Sequence, residues 1–176
     1  MIKPKTRLTS AILAGTVAIA INIVLLYGGH LAHVNTGHGG LLKLLAITFD
    51  FNPIPWGSGF LSILNPSIWK YAFHFIIGLA MAVFYAYVIE NTLNDQLPAA
   101  AKGLVYAAIL WLANSTIILP LLGEGFAGYK SIPPFGIFYF AIAHTVFFVL
   151  LAIFYENLWP RESMLTLNKL QIGGMR

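Results

Sequence analysis

Apolar positions along this chain come in long unbroken runs, not in the mixed patterns of a water-soluble fold. Four such runs cover residues 8–28, 69–88, 103–122 and 135–155, and the last three carry no charge away from their ends. Each reaches the roughly 20 residues needed to cross a hydrocarbon core as a helix. The first run follows Lys3, Lys5 and Arg7. It is longer than the roughly 7–15 residues of a signal-peptide core, and no clear small-x-small cleavage site follows, so it reads as a membrane helix. The pattern predicts an all-α membrane protein with four transmembrane helices, one membrane domain over residues 1–176.

The connection over residues 29–68 is long for a structureless loop in so small a protein. Within it, GLLKLLAITF at residues 40–49 is apolar apart from Lys43 and too short to span, which predicts an interfacial or re-entrant helix. Residues 52–65 (NPIPWGSGFLSILN) then offer Pro and Gly turns, with Trp56 at headgroup level. Residues 156–176 form a tail.

An internal echo organises the four helices. His74 is followed ten and eleven residues later by Phe84 and Tyr85, and His144 at the same distances by Phe154 and Tyr155. Both helices open at proline, after Asn65-Pro66 and Pro133-Pro134, where proline suits a first turn. The first and third runs echo more weakly through Asn22 and Asn114, seven and nine residues before Gly29 and Gly123. The chain therefore reads as two tandem helical hairpins related as parallel repeats. At 1.5 Å per residue both histidines fall roughly 12–15 Å below the prolines, in the outer half of the bilayer.

Composition sharpens this picture. Apolar residues make up 59% of the 176 positions and charged residues 9%, against about 25% charged in a soluble domain. The absence of cysteine removes disulfides, thiolate catalysis, covalent haem attachment and cysteine-held iron–sulfur clusters. The net charge of +4 comes from basic residues scattered at membrane edges, which argues against nucleic acid. Lys3, Lys5, Arg7, Lys102, Arg161, Lys169 and Arg176 fall on one side, Lys43, Lys70 and Lys130 on the other. The positive-inside rule then predicts cytoplasmic termini in a bacterial inner membrane.

Few residues are candidates for chemistry. An ionisable residue inside a membrane is a functional-site hypothesis by default. His74 shares a face with Gly78, Ala82 and Ala86, a small-residue pattern that turns it toward a neighbouring helix. His74 and His144 at matching depth would ligate one haem b from opposite sides. The plainer expectation is a polar layer in which each histidine bonds Asn22, Asn114, Ser115 or Thr145 and fixes helix register. His30, His33 and His38, in GGHLAHVNTGHGG, are candidate copper or zinc ligands, although no HExxH pattern or carboxylate cluster accompanies them. Glu90 and Glu156 stand at the inner helix ends, with Asp50 and Glu124 outside. With no mid-membrane carboxylate and no nucleophile-base pattern, neither a proton-driven carrier nor an enzyme is expected.

The stretches AFHFIIGLAMAVFYAYV, GLVYAAILWLANSTIILPLLGEGF and IAHTVFFVLLAIFY resemble a group of small bacterial four-helix membrane proteins of unknown function. The resemblance covers residues 70–157 and implies a fold without an activity. The residues thus lead to three expectations. One is a structural or accessory subunit among other integral membrane subunits of a respiratory or other redox complex. The others are a haem b electron-transfer subunit and a small carrier or lipid- or quinone-binding protein.

Overall fold

The computed structural model describes residues 6–36, 40–48, 66–93 and 96–159. These residues form five α-helices, a single 3-10 turn (Phe126–Gly128) and no strand: α1 (Arg7–Leu31), α2 (Gly40–Thr48), α3 (66–92), α4 (Ala99–Leu121) and α5 (Pro134–Leu158). Four of them, all but α2, are long and apolar enough to span a membrane. The short apolar segment after the first run is indeed a helix, α2, while Trp56, His38 and the tail beyond residue 159 lie outside the described residues.

Each long helix overruns its hydropathy boundary by one to four residues at most of its ends. Thr6 caps α1: its Oγ1 accepts from the Thr9 backbone N–H while the Thr9 hydroxyl oxygen accepts from the Thr6 N–H, both at 3.2 Å. At the other end Val34 N–H donates to Gly29 O and His33 N–H to His30 O, with His33 at φ 58°. That is a Schellman stop, in which the left-handed residue turns the chain away from the axis. The two helices expected to open at proline do so, α3 at Pro66 and α5 at Pro134.

Two helices widen into a single π turn. In α4 it spans Asn114–Ile118, just ahead of Pro120. Proline has no N–H to donate and clashes with the carbonyl four residues back, and the wider turn absorbs that clash. In α3 it spans Tyr85–Ile89, and there the Arg7 guanidinium donates to the carbonyl oxygen of Ala86. A side chain inserted into the helical ladder accounts for the local widening.

The end carrying Arg7, Thr92, Ala99 and Leu158 is called proximal below, and the opposite end distal. α1 packs between α3 and α5, and α5 packs against α4. Close approach rests on small residues. A Cβ on Gly15 would lie 2.5 Å from Ala82 Cβ, and one on Gly103 would lie 2.6 Å from Phe148 O and 2.7 Å from Val149 Cα. The outward surface is apolar along its length, with Val24, Ile76, Leu112 and Phe138 all exposed.

The hairpin pairing expected from the echo is present, α1 with α3 and α4 with α5. The helix pairs do not pack alike. α1 and α5 lie tightly together, whereas the equivalent pair, α3 and α4, approach chiefly at the proximal π turn of α3.

Candidate functional site

Between α3 and α4, in the distal half of the bundle, lies a cavity of about 420 Å³. That is within the range of small-molecule sites, which run from about 300 to 1,000 Å³. Its floor is Ile19, Met81, Ala107 and Phe148, and its distal mouth is edged by Thr36, Leu41 and Glu124. The walls are largely apolar and aromatic, with Asn22, His74, Asn114, His144 and Thr145 as polar interruptions.

Two of those residues, Asn22 and His74, are hydrogen-bonded to each other. Asn22 is 1% exposed on α1. Its Nδ2 donates to the backbone oxygen of Ala143 on α5 at 2.8 Å, and its Oδ1 lies 2.8 Å from His74 Nε2 on α3. A single asparagine thus ties three helices together at one level. His144 Nδ1 lies 2.9 Å from Phe140 O in its own helix, and the rings of His74 and His144 meet edge to face with centroids 6.0 Å apart. The structure brings His74 and Asn22 together, whereas His144 turns to its own backbone. Asn114 and Thr145 line the same cavity, the Thr145 hydroxyl donating to Ala141 O at 2.8 Å. Ser115 is buried and does not join the group.

Ring spacing alone suits two imidazoles sharing one metal, since two metal–nitrogen bonds of about 2 Å plus the ring radii span a similar distance. The hydrogen bonds divide the pair. His144, with Nδ1 held by a carbonyl, is oriented as metal-ligating histidines are. His74 is not, because Nε2, the nitrogen far enough from Cβ to meet a bulky macrocycle, is committed to Asn22. A haem b between them requires Asn22 to let go. Of the outer histidines, His30 edges the cavity, and His33 serves as the left-handed residue ending α1. Among the described residues no three His, Asp or Glu side chains gather as a metal site would need.

α2 lies over the distal end beside the π turn of α4, contributing Leu41 to the cavity. Lys43 on α2 pairs with Glu124 at 3.1 Å. Glu124 sits in a tight connection after α4 where Gly123 and Gly125 both adopt φ 76°, a conformation costly for any residue with a Cβ. The Gly-x-Gly after Pro120 is thereby explained as backbone geometry that brings Glu124 back over the mouth.

Beneath the cavity is a second polar assembly that hydropathy does not reveal. Lys102 Nζ on α4 lies 2.8 Å from Glu90 on α3 and 3.5 Å from Glu156 on α5. Tyr85 donates to Glu90 at 3.1 Å, Arg7 Nε donates to Tyr155 Oη at 3.2 Å, and Arg7 Nη2 donates to Asn91 Oδ1 at 2.7 Å. Tyr85 and Tyr155, the echoed tyrosines, stack edge to face at 5.6 Å. The echo contained the signal: its tyrosines recur because each anchors the same charged floor. Glu90 and Lys102 read from sequence as charges at a membrane edge, and only the packing shows them withdrawn from solvent. This assembly joins all four long helices at the proximal end and closes the cavity from below.

Comparison with protein-family models, with curated proteins and with solved structures finds no match to this chain, so the functional reading rests on the site itself.

Proposed function

We propose that this chain is a membrane-embedded binding protein for a lipid-soluble small molecule, of the quinone or lipid class, held between α3 and α4. The observation that carries this reading is the largely apolar cavity with a few convergent polar groups beside the adjacent helix pair that, among the described residues, does not close along its length. A bundle whose only task was scaffolding would gain by packing α3 against α4 as α1 packs against α5. Instead a tightly tied floor and an Asn22-centred wall hold the other faces and leave this one open. Apolar walls suit a ligand that partitions from the bilayer, and the polar groups give it an orientation.

The protein acts in a bacterial inner membrane with both termini cytoplasmic in this reading. Arg7 and Lys102 at the proximal end, with Lys3 and Lys5 just before Arg7 in the sequence, support that orientation by the positive-inside rule. The test is extraction of the purified protein, with mass spectrometry of what leaves it, beside an Ala107→Trp variant that fills the cavity floor. A small molecule present at stoichiometric level in the parent and missing from the filled variant supports the proposal. Identical extracts from both would end it.

Haem b between His74 and His144 is the rival reading, favoured by the 6.0 Å ring spacing. A Soret band that disappears in His144→Ala would establish it, and a colourless protein from a haem-replete host would remove it.

A further inference from the structure

Resting on the binding reading above and narrowing its ligand class, we infer that the cavity recognises a phenolic hydroxyl, so that the ligand is the reduced, hydroquinone form of a quinone or an alkylphenol lipid and not an oxidised quinone or an ether.

The argument follows the protons. The backbone oxygen of Ala143 can only accept, so the Asn22 atom 2.8 Å from it is the amide nitrogen, and Oδ1 is left facing His74. That oxygen can only accept as well, so His74 Nε2, 2.8 Å away, carries the hydrogen. An uncharged imidazole has one N–H, and in His74 it is spent on Asn22. His74 Nδ1 is then a lone pair. The same step applies to His144: Phe140 O accepts, Nδ1 donates at 2.9 Å, and Nε2 is a lone pair. Two histidines that line one cavity thus each offer it an acceptor and no donor.

Among the described residues neither lone pair has a hydrogen-bond partner. Among the described residues the only fully occluded side-chain polar atom without a partner is Trp159 Nε1, so His74 Nδ1 and His144 Nε2 open onto accessible space. Asn114 lines the same cavity, and an amide is able to supply the missing donor. A hydroxyl matches this set, since it donates to an imidazole lone pair and accepts from an amide. A carbonyl or an ether oxygen matches only the amide and leaves both imidazole lone pairs bare in an apolar enclosure, which is unfavourable. A metal ion would also be drawn to lone pairs, yet no third ligand converges among the described residues.

The surroundings call for a ring. Phe73, Trp111, Phe147 and Phe148 line the cavity, and the Phe140 ring lies tilted over His144 with centroids 4.0 Å apart. Flat aromatic walls beside the acceptors favour a planar head over a flexible one. A volume of about 420 Å³ takes such a ring with several carbons of tail. Farther along, the tail leaves between α3 and α4, where the surface is already apolar.

The experiment uses the full chain in detergent micelles and three probes: para-nonylphenol, its methyl ether para-nonylanisole, and dodecanol. Bound probe is counted by mass spectrometry after gel filtration, with empty micelles subtracted. The phenol should bind at least about tenfold more tightly than the ether, in line with one buried hydrogen bond, and more tightly than dodecanol. In at least one of His144→Phe and His74→Phe the phenol and the ether should converge. Equal affinity of phenol and ether for the parent protein overturns the hydroxyl inference while leaving the cavity as a binding site. Dodecanol matching the phenol overturns the aromatic head. A preference for the phenol that persists in both His144→Phe and His74→Phe overturns the assignment of the acceptors. Retention of none of the probes above empty micelles overturns the binding reading and this inference with it.

Discussion

Lys102 Nζ lies 2.8 Å from Glu90 Oε1, and the two side chains are 0% and 1% exposed. They come from helices that approach chiefly at this level, so the pair is the clasp of the open side of the bundle. Removing one partner leaves an uncompensated charge in a place that water does not reach. Lys102→Met should therefore lower stability by about 3–5 kcal/mol. The double variant Lys102→Met with Glu90→Gln should recover most of the loss, because the fully buried carboxylate is gone and Glu156, the other partner of Lys102, is 20% exposed. Unfolding in mixed micelles, followed by circular dichroism, reads both. A single variant as stable as the parent would show that the pair is not desolvated.

Glycine at position 103 is a steric requirement. The Cβ of Gly103→Ala would meet backbone atoms of α5, which cannot rotate away, so the helices must separate. A loss of about 1–3 kcal/mol is expected, the usual cost of overpacking. Gly28→Ala is the control: nothing lies within 4 Å of its Cβ. That variant should be unchanged or gain up to about 1 kcal/mol from helix propensity. Thermal unfolding of the pair separates crowding from a general sensitivity of glycines.

Asn22 bridges α1 to both α3 and α5. Asn22→Leu keeps the volume and removes both hydrogen bonds, costing about 1–3 kcal/mol in total at the values typical of polar contacts between membrane helices. It also releases the His74 proton from its assigned position. The phenol-over-ether preference should then shrink while the apolar fit persists. A variant with unchanged stability and unchanged preference would mean that the bridge contributes nothing.

The chain has no cysteine, so single-cysteine labelling reports topology without background. Gln96→Cys in the proximal connection should react with a membrane-impermeant maleimide only after inner-membrane vesicles are inverted. Lys130→Cys in the distal connection should react in intact spheroplasts. The reverse pattern would invert the proposed orientation.

Ligand depletion gives a last check. Protein stripped by delipidating detergent should unfold at lower temperature than protein reloaded with para-nonylphenol, since a ligand bound to the folded state alone stabilises it by mass action. No shift at saturating probe would contradict occupancy of the cavity.

What the chain by itself determined is the set of helices. Runs of apolar residues as long as a bilayer is thick leave the backbone no partner but itself, so the four long helices and the short α2 were legible from hydropathy. Prolines at 66 and 134 and the inward face of His74 were legible for equally local reasons, a first helical turn and a stripe of small residues. What only the tertiary structure decided is which neighbours those helices keep. Hydropathy treats Lys102 and Glu90 as edge charges because it cannot see that a π turn in α3 and the start of α4 bring them within 2.8 Å. It groups Asn22, Asn114, His74 and His144 by depth, but depth is one coordinate, and hydrogen bonding depends on all three. Packing divides them: Asn22 closes on His74, His144 turns to its own helix, and Asn114 is left facing the space that α3 and α4 do not fill. Local sequence dictates a helix because its bonds are local, whereas a cavity exists only where distant surfaces fail to meet.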